Sequence, residues 1–332
     1  MTGEGEDHLA FIQAAIQAKP LETELRWSLF VSSLYSYRYD TVLKPFPPMF
    51  MKDNGEKDFK RLEGCVEDVP TMRTFLNPAK CNSLPKEVVE LVRWVLDYRN
   101  FHLQLKDNNQ FTEIKQMTKD SGVSSVDPNY IFEVEYDEVS SSKFEELRNN
   151  RDLLYGYHGS RIENFYSILH HGLASHMNKV SVFGEGTYLS SELSVSLHYS
   201  PQGRGWERST LGERLGCIAV CEMIDDPKAV KCKVKDGNRN ERSRAINSEA
   251  GDVPEKYYIV QNNDVIRVKY LLVYAQKSSN VSPSRSRMRA WVSKHKFLLM
   301  MVIYVLILLI VGLANSKTFW HYVRRLTSSK LR

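Results

Sequence analysis

Cysteine is scarce. Five of the 332 residues, Cys65, Cys81, Cys217, Cys221 and Cys232, carry a thiol, and no C-x-x-C pair occurs among them. An odd set without that spacing suits thiols kept reduced in the cytosol. Cys217 and Cys221 stand in the apolar run GCIAVCEMI, where a strand puts both on one face with no histidine close in sequence, so they read as core. A complete phosphate-binding loop is also missing. In VFGEGTYLSSE, Gly184 and Gly186 are followed by Thr187, Tyr188 and Leu189, so a dinucleotide fingerprint lacks its third glycine, and no Gly-Lys-Ser/Thr follows to make a P-loop. The first ten residues, MTGEGEDHLA, are acidic and hold no apolar stretch of the kind a signal peptide needs.

The net charge of +5 is local. Arg285, Arg287, Arg289, Lys294 and Lys296 stand before one apolar run, and Lys317, Arg324, Arg325, Lys330 and Arg332 after it. Without these ten the balance is acidic, which argues against a nucleic-acid face on the folded part. The run itself, FLLMMVIYVLILLIVGLA, is 18 residues free of charge. It reads as a transmembrane helix of about 27 Å, a match to a thinner bilayer such as the endoplasmic reticulum. Its place near the end of a chain without a signal peptide predicts a tail anchor with a cytosolic body. The basic residues flanking it are equal in number on the two sides and do not orient it.

Apolar residues at helical spacing in HLAFIQAAIQA and LETELRWSLFVSSLYS, and Val88, Val89, Leu91, Val92, Val95 and Leu96 after Pro85, predict a helical domain over 1–100. Alternation then takes over, as in YIFEVEYDEV, and strands dominate 101–278, with a short helix around Phe144 to Leu147 and another in RIENFYSILHHG stopped by Gly172. A polar stretch, Lys233 to Glu255, reads as a functional or mobile loop, and Arg239, Arg242 and Arg244 within it are candidates to receive acidic acceptors. A basic linker over 279–296, the apolar helix at 297–314 and a short basic tail at 315–332 complete the chain.

Three segments in order, YHGSRIENFYSILHHGL, FGEGTYLSSELSVSLHYS and KYYIVQNNDVIRVKYLLVYA, resemble the signature of the poly(ADP-ribose) polymerase family of ADP-ribosyltransferases, in particular its tail-anchored kind. The resemblance implies an α+β fold: a helical N-terminal domain packed on a transferase domain of two antiparallel sheets with helices around an NAD cleft, followed by the membrane helix. It implies NAD as co-substrate and no metal. The backbone of Gly159 and the hydroxyl of Ser196 would hold the nicotinamide carboxamide, Tyr188 and Tyr199 would sandwich the pyridinium ring, and His158 and Ser160 would bond the adenosine ribose. Gly184 and Gly186 then read as backbone relief before the strand carrying Tyr188. His170, His171 and His198 fall outside the pattern and read as structural or surface residues.

Chain-elongating relatives carry a glutamate at the start of the YYIV strand, where this chain has Tyr257. A phenol with an ordinary pKa of about 10 brings no negative charge at neutral pH. The catalytic set His158, Tyr188 and Tyr257 therefore implies mono-ADP-ribosyl transfer to protein side chains, acidic or other, including the chain's own, rather than polymer growth. The rival reading is a catalytically silent NAD-binding or scaffold module at a membrane. The resemblance places the protein at the endoplasmic reticulum and nuclear envelope, with stress-signalling proteins of that membrane as conceivable acceptors; the basic tail would also suit the mitochondrial outer membrane.

Overall fold

The computed structural model describes all residues except 1–2, 82, 98–99, 123–125, 174–181, 234–241, 277–295 and 316–332. The chain divides into two compact units, Met1–Lys277 and Ser278–Arg332.

In the first unit, α1 (Gly3–Ala18) and α2 (Pro20–Leu34) are separated by Lys19, and Pro20 starts α2 where a missing N–H costs nothing. With α3 (Phe59–Asp68) and α4 (Lys86–Leu96) they enclose Leu25, Phe30, Leu62, Val88 and Val92. Helix α2 is buried almost all round, because its second side packs on the strand-rich part that follows. There Trp27 meets Trp206 edge-on at 6.0 Å and Phe30 meets Tyr166 at 5.5 Å. Ser32 donates to the carbonyl of Arg204 at 2.7 Å, and Arg26 donates to the carbonyls of Leu96 and Phe101 while lying over the Phe101 ring. One core cluster runs from Leu9 through Trp27 to Val273, so the helical part and the sheet share their interior.

The strands are β1 (Phe101–Lys106), β2 (Tyr130–Tyr136), β3 (Leu153–Ser160), β4 (Thr187–Ser190), β5 (Gly203–Arg204), β6 (Arg214–Ile224), β7 (Val230–Lys231), β8 (Tyr257–Val260) and β9 (Ile266–Gln276). All pairings are antiparallel, in the order β1-β2-β9-β6-β3-β4-β8-β7, with β5 on the side of β6. The expectation of two sheets is corrected here: the described strands form one continuous sheet. Its two parts meet at one registered pair, Tyr157↔Ser190, whereas β3 runs beside β6 from Leu153↔Ile224 to Ser160↔Cys217. β6 is buried at every position after Arg214, since both its faces are covered, and Cys217 and Cys221 lie in that core.

Two helices depart from the sequence reading. Helix α5 (Gln110–Thr118) lies in a stretch read as strands. Helix α6 (Glu138–Arg148) is longer than the short helix expected around Phe144 to Leu147, because Asp137 caps it by accepting from the amide of Ser140 at 2.8 Å. Helix α7 (Phe165–His171) does end at Gly172, whose φ of 80° spares a side chain the left-handed region.

His170, on α7, is structural. Its Nδ1 lies 2.6 Å from the carbonyl of Tyr166 and its ring meets Phe101 edge-on, so burial pushes its pKa down from 6.5 to about 4. A histidine held neutral in the fold and free to protonate when unfolded contributes stability that is complete above pH 6.5 and is lost as pH falls through that interval to about 4. The urea midpoint should drop across this window, and His170→Gln should show a shallower drop than the parent chain.

In the second unit a helix, Lys296–Ala314, holds the apolar run. Among the described residues no helix is long and apolar enough to cross a membrane. That statement covers described residues alone, and within this helix the side chains at 296, 298, 299, 310, 313 and 314 lie outside them. Residues 279–295 of the basic linker, Asn280 among them, and 316–332 of the basic tail likewise lie outside the described residues.

Candidate active site

The residues singled out by the sequence converge where β3 parts from β4. Past Tyr157↔Ser190 the two strands have no further registered pair, and β3 continues as His158, Gly159 and Ser160 with β6 alone. The Nδ1 of His158 sits 3.0 Å from the carbonyl of Tyr188, bridging the divergence. A carbonyl accepts only, so Nδ1 carries the proton, and burial lowers the pKa of the ring, keeping it neutral at pH 7. Nε2 is then a lone-pair acceptor.

Helix α8 (Leu193–Leu197) crosses Gly159. A Cβ at that glycine would lie 1.9 Å from the carbonyl oxygen of Ser196 and 3.1 Å from Cβ of Tyr199, so this approach admits no side chain. Ser196 is buried and donates to the carbonyl of Tyr157 at 3.0 Å, leaving its oxygen lone pairs to accept. Ser160 accepts from Asn164 at 2.8 Å and keeps its own proton to donate. Tyr199 is 64% exposed.

The hydroxyl of Tyr188 is fully engaged. It donates to the carbonyl of Gly184 at 2.7 Å and accepts from the amide of Phe183 at 3.1 Å. What Tyr188 can offer a ligand is therefore its ring face. Gly184 (φ 102°) and Gly186 (φ 151°) are backbone relief: a Cβ would meet the Ile246 carbonyl at 2.5 Å at the first, and Ile259 Cγ2 at 2.6 Å at the second. Register puts Tyr188 opposite Ile259 and Ser190 opposite Tyr257, so Tyr188 and Tyr257 share a face and flank the cluster of Ala245, Val253 and Ile259. Tyr257 is further fixed through its neighbour, because the carbonyl of Lys256 accepts from Ser190 Oγ at 3.0 Å and from the amide of Ser191 at 2.9 Å.

The polar loop packs on this site. Glu185 donates its amide to the carbonyl of Ile246 at 3.1 Å, Asn247 donates to the Glu185 carboxylate at 3.1 Å, and Ala250 donates to the carbonyl of Val182 at 3.0 Å. Arg242 is paired with Asp225 and Arg244 donates to the carbonyl of Ser248 at 3.2 Å, while Arg239 lies outside the described residues. A cavity of about 450 Å³ lies elsewhere, against Lys19, Arg26 and His102. The site is marked by chemistry rather than volume: at the β3–β4 divergence the backbone of Gly159, the Ser160 and Ser196 hydroxyls, the His158 ring and the exposed Tyr199 lie close together in the fold. No group of histidine, cysteine, aspartate and glutamate able to hold a metal occurs among the described residues.

The comparisons with known proteins fall on the same segments. Residues 14–96 match the ARTD15 N-terminal domain and residues 108–276 the poly(ADP-ribose) polymerase catalytic domain. The chain is 44% identical over 309 residues to the mouse protein mono-ADP-ribosyltransferase PARP16, covering 92% of this chain and 94% of the relative. Against the human protein of that name the identity is 43% over the same coverage. Mouse protein mono-ADP-ribosyltransferase PARP8 is 24% identical over 229 residues, covering 57% of this chain and 26% of that one.

Proposed function

Because the chain belongs to the poly(ADP-ribose) polymerase family and is an NAD-dependent mono-ADP-ribosyltransferase, we propose that His158, Tyr188 and Tyr257 carry the transfer at the β3–β4 divergence. The observation that carries this assignment is the close approach of α8 to Gly159, where a Cβ would lie 1.9 Å from the Ser196 carbonyl oxygen and 3.1 Å from Cβ of Tyr199, on a length of β3 that has no registered β4 partner. That edge suits a carboxamide, with Gly159 pairing its amide and carbonyl and Ser196 accepting one amide hydrogen. Tyr188, pinned by its hydroxyl, and Tyr199 hold the ring between them. The neutral His158 takes a ribose O–H on Nε2, and Ser160 donates to the same sugar.

With both ends held, the bond from nicotinamide to ribose breaks, the electron pair leaves with nicotinamide, and the cationic carbon is attacked from the opposite face. Tyr257 donates a hydrogen bond to the nicotinamide ribose but supplies neither a base nor a charge. A protein carboxylate brings its own charged nucleophile, whereas a ribose hydroxyl needs activation. The acceptors are therefore protein side chains, the chain's own among them. The apolar C-terminal run anchors the protein in an intracellular membrane with the transferase in the cytosol; its 18 uncharged residues suit a thinner bilayer such as the endoplasmic reticulum, the family resemblance adds the nuclear envelope, and proteins of that membrane, stress-signalling ones included, become its substrates.

Incubating the full chain in detergent with adenylate-labelled NAD should place label in protein. Phosphodiesterase should release it as AMP alone, without the phosphoribosyl-AMP that linked units would give, and Tyr257→Ala should cut transfer about tenfold, the scale of one lost positioning hydrogen bond. Ladders of linked units would sink the mono-transfer assignment, and absence of label would leave a silent module. A glycosylation sequon added beyond Ala314 on a lengthened tail should acquire sugar in cells while Asn280 stays bare; the reverse pattern overturns the orientation.

A further inference from the structure

Helix α8 has five residues, too few to hold its shape alone, so its geometry is set by what grips its ends. At the far end Ser200 donates to the carbonyl of Cys217 at 2.5 Å and accepts from the amide of Cys217 at 3.1 Å, tying the turn to β6. At the near end the grip comes from a distant part of the chain. Helix α5 finishes with Lys119 in the left-handed region (φ 56°), and this turn presents Asp120. One oxygen of Asp120 accepts from the amide of Gly122 at 2.9 Å, and the other accepts from the amide of Leu193, the first residue of α8, at 3.3 Å.

The same end of α5 also holds β3. Thr118 is buried and its hydroxyl meets that of Tyr157 at 3.0 Å; Tyr157 is fully buried, and Asp120 faces the same phenol. The carbonyl of Tyr157 in turn receives Ser196 Oγ. One turn of α5 thus contacts both segments that come together at Gly159.

We propose that Asp120 is a positioning residue for the nicotinamide pocket, setting the distance between Gly159 on β3 and Ser196 on α8 through its bond to the Leu193 amide. The proposal rests on the reading of Gly159 and Ser196 as the carboxamide grip. A carboxylate acceptor at a helix start also opposes the exposed amide dipoles there, which makes alanine a poor replacement and asparagine a partial one.

Calorimetric titration of the full chain in detergent with nicotinamide and, separately, with ADP-ribose tests it, because ADP-ribose lacks the carboxamide. Asp120→Ala should weaken nicotinamide about tenfold, the loss of one charge-assisted hydrogen bond, and leave ADP-ribose within about twofold. Asp120→Asn, which keeps one acceptor oxygen and the side chain's volume, should weaken nicotinamide relative to ADP-ribose by about threefold. Equal weakening of both ligands, or of neither, in the asparagine variant overturns the proposal. If the unaltered chain binds ADP-ribose but not nicotinamide, the carboxamide reading itself is wrong, and the proposal falls with it.

Discussion

Gly159→Ala should reduce NAD turnover by at least about a hundredfold, the scale of a misplacement near 1 Å in an active site. The side chain would sit 1.9 Å from the Ser196 carbonyl oxygen, and the obstructing atom is backbone, which cannot rotate away. Either α8 rises off β3, separating Ser196 from Gly159, or β3 shifts and takes His158 from the carbonyl of Tyr188. Each movement opens the place assigned to the carboxamide. Labelled transfer and nicotinamide titration should both fail, while the far-ultraviolet spectrum stays that of the parent, since the contact lies at the end of β3, past its one registered pair with β4. Full turnover in this variant would remove Gly159 from the site.

Trp27→Ala should destabilise the whole first unit by about 3 kcal/mol, toward the lower end for a buried tryptophan. Trp27 is fully buried between Phe30 and Trp206. The lower end applies because its indole N–H is buried without a partner, so deletion also removes an unsatisfied donor. The decisive measurement is cooperativity. A helical domain merely resting on a transferase domain would melt by itself and leave NAD-dependent labelling intact; a shared core predicts one transition at a lower midpoint, with labelling lost along the same curve.

The chemistry was legible in the sequence because it sits in contiguous motifs whose residue types have few uses in that order. Tyr188, Ser196 and Tyr199 lie within twelve residues, and strand alternation alone puts Tyr257 and Ile259 on one face. What escaped depends on long-range contact. Helix α5 turns only Phe111, Ile114 and Thr118 inward, too thin a stripe to stand out among strands, and nothing in TKDSG marks Asp120 as the cap of a helix far along the chain. The joining of two expected sheets into one rests on a single pair, which leaves no pattern in either strand. Arg242 looked available as a loop arginine, and only the fold brings Asp225 to it.

That single pair has a mechanical meaning. Along β3, one edge is stitched to β6 over eight registered residues and the other to β4 by one, so the sheet has a seam, and the seam runs through the site proposed for NAD. A ligand lying across it, held in the proposed way by Gly159 and Ser196 on one bank and by Tyr188 and Tyr257 on the other, would replace the missing ladder with its own contacts. Occupancy at a hundred times the dissociation constant adds about 2.7 kcal/mol to the folded state. Here that gain falls on the least fastened line in the sheet, so substrate acts as a structural stitch, and amides on β4 and β8 should be the ones whose solvent exchange slows most when it binds.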